Sequence, residues 1–140
     1  MKILLAVDGS DFTRRMLDYV AANTELFDAG HDYTVFNAQP QLPGRAASMV
    51  GSDAVKGYHE DEARQVLDPA VAALTARGLK ATGAWKAGPG GETIAEYAEQ
   101  GGYGLVIMGS HGHGALGRLV MGSVANRVLA HCGVPVLLIR

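Results

Sequence analysis

Apolar residues along this chain fall into two alternating patterns. Short uninterrupted aliphatic runs, Ile3-Leu4-Leu5-Ala6-Val7, Leu105-Val106-Ile107-Met108 and Val136-Leu137-Leu138-Ile139, are separated by longer stretches in which apolar residues recur every three or four positions. Such runs, apolar at successive positions, suit strands covered on both faces, whereas the three-to-four spacing suits helices with one buried side. Lys2 to Val7 therefore reads as a first strand. Asp8-Gly9-Ser10 follows with turn chemistry and a capping hydroxyl, and Phe12, Met16, Val20 and Phe27 mark a helix from about Asp11 to Asp28.

Gly30 closes that helix, and Tyr33-Thr34-Val35-Phe36, aromatic and β-branched, predicts a second strand ending near Ala38. Gln39 to Gly51 contains Pro40, Pro43 and Gly44 and reads as a loop. Ser52 to Arg77 reads as helical, with Val66, Leu67, Val71 and Leu74 on one side and a kink or restart expected at Pro69. Leu79 to Lys86 is a weaker third strand, and Gly88 to Gly91 turns into a helix carrying Ile94, Tyr97 and Ala98, with Glu92, Glu96 and Glu99 toward water. Leu105 to Met108 is the fourth strand, Gly109 to Gly117 a glycine-rich loop, Val120, Val124 and Val128 mark the last helix, and Pro135 to Ile139 is the fifth strand.

Five strands separated by helices imply right-handed crossovers, a mainly parallel sheet and helices on both faces: a doubly wound α/β fold in one domain spanning residues 1–140. Ligands of such sheets bind beyond the carboxyl ends of the strands, where the strand order reverses. With the first and fourth strands as neighbours, Asp8 and Gly109 flank that crevice.

Composition narrows the field. Hydrophobic residues make up 48% of the 140, but no apolar run approaches the ~20 residues of a membrane span. Asp8 interrupts the apolar start well before a signal-peptide core is complete, so a cytoplasmic protein without a membrane partner is expected. The single cysteine, Cys132, precludes an internal disulfide and reads as a small core residue. Net charge is −2, and the cations form no stripe interleaved with aromatics, so nucleic acid is not an expected partner. Trp85 reads as packing. The charge is uneven, however: no acidic residue follows Glu99, while Arg118, Arg127, Arg140, His111, His113 and His131 do, and that segment suits a localised anion.

The chemistry concentrates in Gly109-Ser110-His111-Gly112-His113-Gly114-Ala115-Leu116-Gly117 and in Gly122-Ser123. A glycine-rich turn between strand and helix lets backbone amides converge on an anion, and the amides and Ser123 hydroxyl at a helix start can donate to phosphate. Arg118 adds a cation. Gly112 to Gly117 fits G-x-G-x-x-G, yet the dinucleotide pattern follows a first strand and needs a later acid that this chain lacks. Without G-x-x-x-x-G-K-[ST] there is no phosphate-loop lysine, and without G-x-S-x-G no serine elbow, so rapid nucleotide hydrolysis and serine hydrolysis are not expected. His111 and His113 have no nearby carboxylate or thiol to complete a metal set. Asp8 reads two ways, as a ligand contact or as a helix cap.

Gly109, Gly112, Gly122 and Ser123 fit G-x2-G-x9-G-[ST], and with the opening Ala-Val-Asp-Gly-Ser and closing Val-Pro-Val-Leu-Leu-Ile the whole chain resembles the universal stress proteins, specifically their ATP-binding subgroup. The resemblance implies strand order 3-2-1-4-5 and ATP, accompanied by magnesium held through its phosphates. It implies that Ala6, Val7 and Asp8 contact adenine or ribose, that Ala38 offers backbone contacts and that Met108 lines the cleft. Gly109, His111 and Gly112 would surround ribose and phosphate, with Gly122, Ser123 and Val124 at the terminal phosphates. It also implies a homodimer through Val134 to Ile139, a regulatory role read by a protein partner, and binding in place of rapid turnover, with slow hydrolysis or self-phosphorylation left open. No residue is assigned as catalytic. Asn37, Gly104 and Ala38 depart from residues common in the family, His, Asp and a larger aliphatic respectively. The alternatives are a nucleotide-free dimeric module whose glycine loop is a tight connection, and a small enzyme using the same cleft for another phosphorylated or nucleotide-like ligand.

Overall fold

A computed structural model describes residues 1–113 and 121–140. Five strands, β1 (Lys2–Ala6), β2 (Asp32–Gln39), β3 (Lys80–Ala87), β4 (Leu105–Gly109) and β5 (Val136–Ile139), form one sheet in the order β3-β2-β1-β4-β5, every pair parallel. The chain winds outward from β1 through β2 to β3, crosses back to β4 on the other side of β1, and ends at the β5 edge. The expected order is therefore the observed one, with the reversal between β1 and β4.

Alternate residues of the central strands divide between two cores, as the two-residue period of a strand requires. Ile3, Leu5, Tyr33, Val35 and Ile107 face α1 (Asp11–Ala22) and α3 (Ser52–Thr75), packing on Met16, Val20, Leu67 and Leu74. Leu4, Phe36, Val106 and Met108 face α4 (Gly90–Gln100) and α5 (Ser123–His131), packing on Ile94, Ala98, Ala125 and Val128. Most of these side chains are almost wholly removed from water, each contributing roughly 1.5–3 kcal/mol for the larger aliphatics. Cys132 is partly buried against the second core, and Trp85 against the first.

The departures from the sequence pattern have local causes. The first helix stops at Ala22, short of Asp28, because Asn23 leaves helical geometry and directs both its backbone N–H (3.1 Å) and its side-chain amide (2.8 Å) at the Tyr19 carbonyl. Phe27 still enters the core, from the turn beyond. The Gln39–Gly51 stretch is not wholly a loop: Gly44–Val50 form a helix, α2, with no buried residue, held beside α3. Its apolar spacing carries no signal because it covers no core. Gly51, at φ 85°, reverses the chain between α2 and α3, a backbone region that glycine alone enters without strain.

Pro69 neither ends nor restarts α3, which runs from Ser52 to Thr75. Proline frees the carbonyl four residues back, here that of Gln65, and both residues are exposed, on the side of the helix open to solvent. Glu92 also departs from the expected solvent face: it is half-buried and accepts from Arg127 at 2.8 Å, tying α4 to α5. No helix among the described residues is long and apolar enough to cross a membrane.

Candidate functional site

Beyond the carboxyl ends of β1 and β4 the loops diverge around a cleft of about 340 Å³, within the size range of small-molecule sites. Ala6, Val7 and Asp8 enter it from β1, Ala38 from β2, Met108 and Gly109 from β4, His111 and Gly112 from the following loop, and Gly122, Ser123 and Val124 from the start of α5. Eleven of the twelve residues singled out from sequence thus share one cavity; the twelfth, Arg118, lies outside the described residues. Thr13, Gly90, Ile94, His113 and Ala125 line it too. Of these, the sequence points only His113 toward an anion, and helical spacing places Ile94 on the fourth helix.

Asp8 resolves into two roles, one per oxygen. Its Oδ1 accepts from the Ser10 amide at 2.9 Å and from the Thr13 hydroxyl at 3.0 Å, closing the turn into α1. Gly9 makes the turn at φ 78°, and Ser10, the helix cap, accepts from Thr13 N–H at 3.4 Å. The second oxygen, Oδ2, abuts Gly112, so closely that a Cβ there would collide with it. One carboxylate therefore builds the turn and presents its other oxygen to the cleft.

The described part of the glycine loop, 109–113, is fastened from both sides. His113 donates from Nε2 to the Asp8 carbonyl at 2.6 Å, and the Ser110 hydroxyl meets His111 Nδ1 at 2.9 Å. Ser110 donates its amide to Ile139 at 2.8 Å and accepts at its carbonyl from Gly122 N–H at 2.7 Å. Each motif glycine marks a close approach within the protein. A Cβ on Gly109 would stand 2.6 Å from Phe12 Cβ, and one on Gly122 would stand 3.0 Å from His111 Cα and 3.1 Å from the Ser110 carbonyl oxygen.

At the far wall, Gly122 is the N-cap of α5 and supplies no side chain to its first turn. The first amides of any helix lack intrahelical partners and carry the positive end of its dipole. Here they open beside Ser123, whose hydroxyl has no partner among the described residues. The start of α4, capped by Pro89 without a side-chain bond, reaches the same cleft at Gly90. Ala6, Ala38, Ile94, Met108 and Val124 supply an apolar wall, and Asp8 is the one carboxylate among the lining residues. An apolar slot ending in unspent donors accommodates a flat apolar group joined to an anion.

The universal stress protein family model matches residues 1–140. The chain belongs to that family. Among relatives, it is 32% identical over 146 residues to the universal stress protein in the QAH/OAS sulfhydrylase 3′ region of Thermus aquaticus, covering 99% of this chain and 97% of that one. It is likewise 32% identical to the universal stress protein Slr1230 of Synechocystis, but spans only 42% of that longer protein. Solved structures of similar fold include hypothetical protein MJ0577 (TM-score 0.84, 25% identity, 99% and 94% of the two chains). A universal stress protein from Archaeoglobus fulgidus was solved in complex with dAMP (TM-score 0.72, 23% identity, 100% and 98% covered). A universal stress protein family protein from Arabidopsis thaliana was solved with AMP bound (TM-score 0.67, 17% identity, 99% and 90% covered). Of the three family departures, Asn37 is structural here: its side-chain amide donates to the Val7 carbonyl at 2.8 Å, bracing β1 just before Asp8.

Proposed function

We propose that the cleft binds ATP and that occupancy, in place of rapid turnover, is the protein's output as a stress-response regulator. The observation that carries this reading is the start of α5, without a side-chain cap and with a Ser123 hydroxyl that has no partner among the described residues, opening onto an apolar slot at the reversal of strand order. In this reading the base and ribose lie along Val7, Ala38 and Met108 with Asp8 Oδ2 accepting from a sugar hydroxyl. The phosphates face Gly109, His111 and Gly112, then Gly122, Ser123 and Val124, with Arg118 as a further cation. Magnesium enters on the phosphates. The nucleotide supplies the charge and the transferable phosphoryl group; the residues at its phosphate end bind and orient it through amides and a hydroxyl. Family members solved with dAMP and AMP support a nucleotide as the ligand class.

We further propose that two copies associate along β5, whose outer edge pairs with no other strand among the described residues. A nucleotide-free dimeric module is the second reading. It is favoured by the close approaches of Gly109, Gly112 and Gly122, each of which explains its glycine without any ligand. Calorimetric titration of nucleotide-stripped protein with ATP and magnesium separates the two. Saturation near one ATP per chain supports the first, and no heat up to about 1 mM ATP, a binding free energy weaker than about −4 kcal/mol, supports the second.

A further inference from the structure

A second concavity lies away from the cleft, between α2, α3 and the β3 edge. It is a groove of about 530 Å³ bordered by Ser48, Ser52, Lys56, His59 and Trp85. His59 is a buried imidazole, 3% exposed, that the nucleotide reading does not use. Its ring lies 5.8 Å from that of Trp85, tilted by 33°. Lys56, one helical turn before it, is exposed and has no ion pair among the described residues, none of whose carboxylates borders the groove.

The hydrogen-bond partners of His59 fix what it offers. The Val7 carbonyl can only accept, so Asn37 turns its amide nitrogen toward it, at 2.8 Å. Asn37 Oδ1 then accepts from Gln39 Nε2 at 2.5 Å, which leaves Gln39 Oε1 facing His59 Nδ1 at 3.5 Å. Two acceptors cannot pair, so Nδ1 carries the hydrogen, and in the neutral ring Nε2 is the acceptor. Among the described residues Nε2 has no partner, and no unpaired side-chain nitrogen there is sealed from outside. The groove, which His59 borders, is where it opens.

We infer that this groove is a second small-molecule site, and that it takes a hydroxylated aromatic carboxylate. The Trp85 indole and the methyl groups of Ala47, Val55 and Ala87 receive the ring. Lys56 receives the carboxylate, and the ligand's hydroxyl donates to His59 Nε2. A ring with charge at one end and a donor at another uses all three features; an aliphatic acid or a neutral arene uses fewer.

Trp85 is the only tryptophan, so its indole Nε1–H resonance in ¹⁵N-labelled protein reports on this groove alone. The nucleotide-stripped full chain is titrated with 4-hydroxybenzoate, 4-methoxybenzoate, which has lost the donor, and 4-hydroxybenzamide, which has lost the charge. The expected result is a saturable shift with 4-hydroxybenzoate and at least about fivefold weaker binding of each analogue. Lys56→Gln, an exposed helix position that keeps the fold, should weaken 4-hydroxybenzoate about fivefold and leave 4-hydroxybenzamide unchanged. No shift by about 10 mM ligand, equal affinity of hydroxy and methoxy compounds, or wild-type affinity in Lys56→Gln would each overturn the assignment. Because no nucleotide is present, the result stands apart from whatever ATP titration shows.

Discussion

Gly122→Ala tests how the cleft is built, because it separates crowding from backbone strain. At φ −71° and ψ 160° Gly122 occupies a conformation that alanine also adopts, so the substitution carries no dihedral penalty. Its methyl group, however, would stand 3.0 Å from His111 Cα and 3.1 Å from the Ser110 carbonyl oxygen, with Gly112 N at 3.7 Å, all main-chain atoms that no side-chain rotation can move aside. Overpacking of this kind costs about 1–3 kcal/mol, and the stiffer unfolded chain returns about 0.4–1 kcal/mol. The central values of the two terms, about 2 and about 0.7 kcal/mol, leave a net loss of about 1.3 kcal/mol, at roughly 4 °C in Tm for each kcal/mol in a domain of this size. Gly57→Ala is the control: in the interior of α3, with nothing within 4 Å of the new methyl group, it should stabilise by about 0.5–1 kcal/mol. Urea melts of both variants give opposite signs on this reasoning. A Gly122→Ala protein as stable as its parent would mean that the loop yields freely, and the packing account of the motif would be wrong. If the protein binds ATP, affinity should fall with stability in this variant, since the displaced backbone is the phosphate wall.

Three other outcomes check separate parts of the account. Ser123→Ala should leave stability within about 0.5 kcal/mol, because the hydroxyl has no partner among the described residues, while weakening ATP by about 1–2 kcal/mol in calorimetry; unchanged affinity would remove Ser123 from the site. Asp8→Asn keeps an oxygen for the Ser10 and Thr13 bonds and should preserve the fold while reducing ATP affinity about tenfold, whereas Asp8→Ala should lose stability as well, by about 1 kcal/mol; equal melting of the two would refute the division of labour between the oxygens. At high pH, burial holds the Tyr33 and Tyr97 hydroxyls above their ordinary value of 10.0, helped by Asp28 at Tyr33 and by Tyr103 at Tyr97. The folded state keeps protons that the unfolded state releases, so stability is complete below pH 10 and declines as pH rises beyond it. Tyr33→Phe should shallow that decline in melts between about pH 9 and 11.

The sheet was legible because its central strands are buried on both faces and must be apolar at successive positions, as Leu4, Leu5, Val106 and Ile107 are. The cleft was legible through Gly109, Gly112, Gly122 and Ser123, whose spacing survives in sequence because the Ser110 carbonyl and Gly122 amide join the two halves of the motif. What escaped was set by contacts that no local pattern encodes. α2 buries nothing, so it has no periodicity to read. The end of α1 depends on Asn23 folding back on Tyr19, and the passage of α3 through Pro69 depends on that turn facing water. The division of Asp8 between turn and cleft needed the positions of Thr13 and Gly112, five and 104 residues away in the sequence.

The sheet ends differently on its two sides. β5 is a strand of four residues, Val136 to Ile139, with no charged side chain, while β3, at the opposite edge, spans eight and carries exposed Lys80 and Lys86. Lysines along an outer strand oppose addition of a like strand, since each new copy would bring the same charges alongside. Growth of the sheet is therefore asymmetric. The proposed pairing of one β5 with another would use up both permissive edges and leave a lysine-bearing β3 at either extremity, so such an assembly would double once and terminate, with no open end from which a fibre could lengthen.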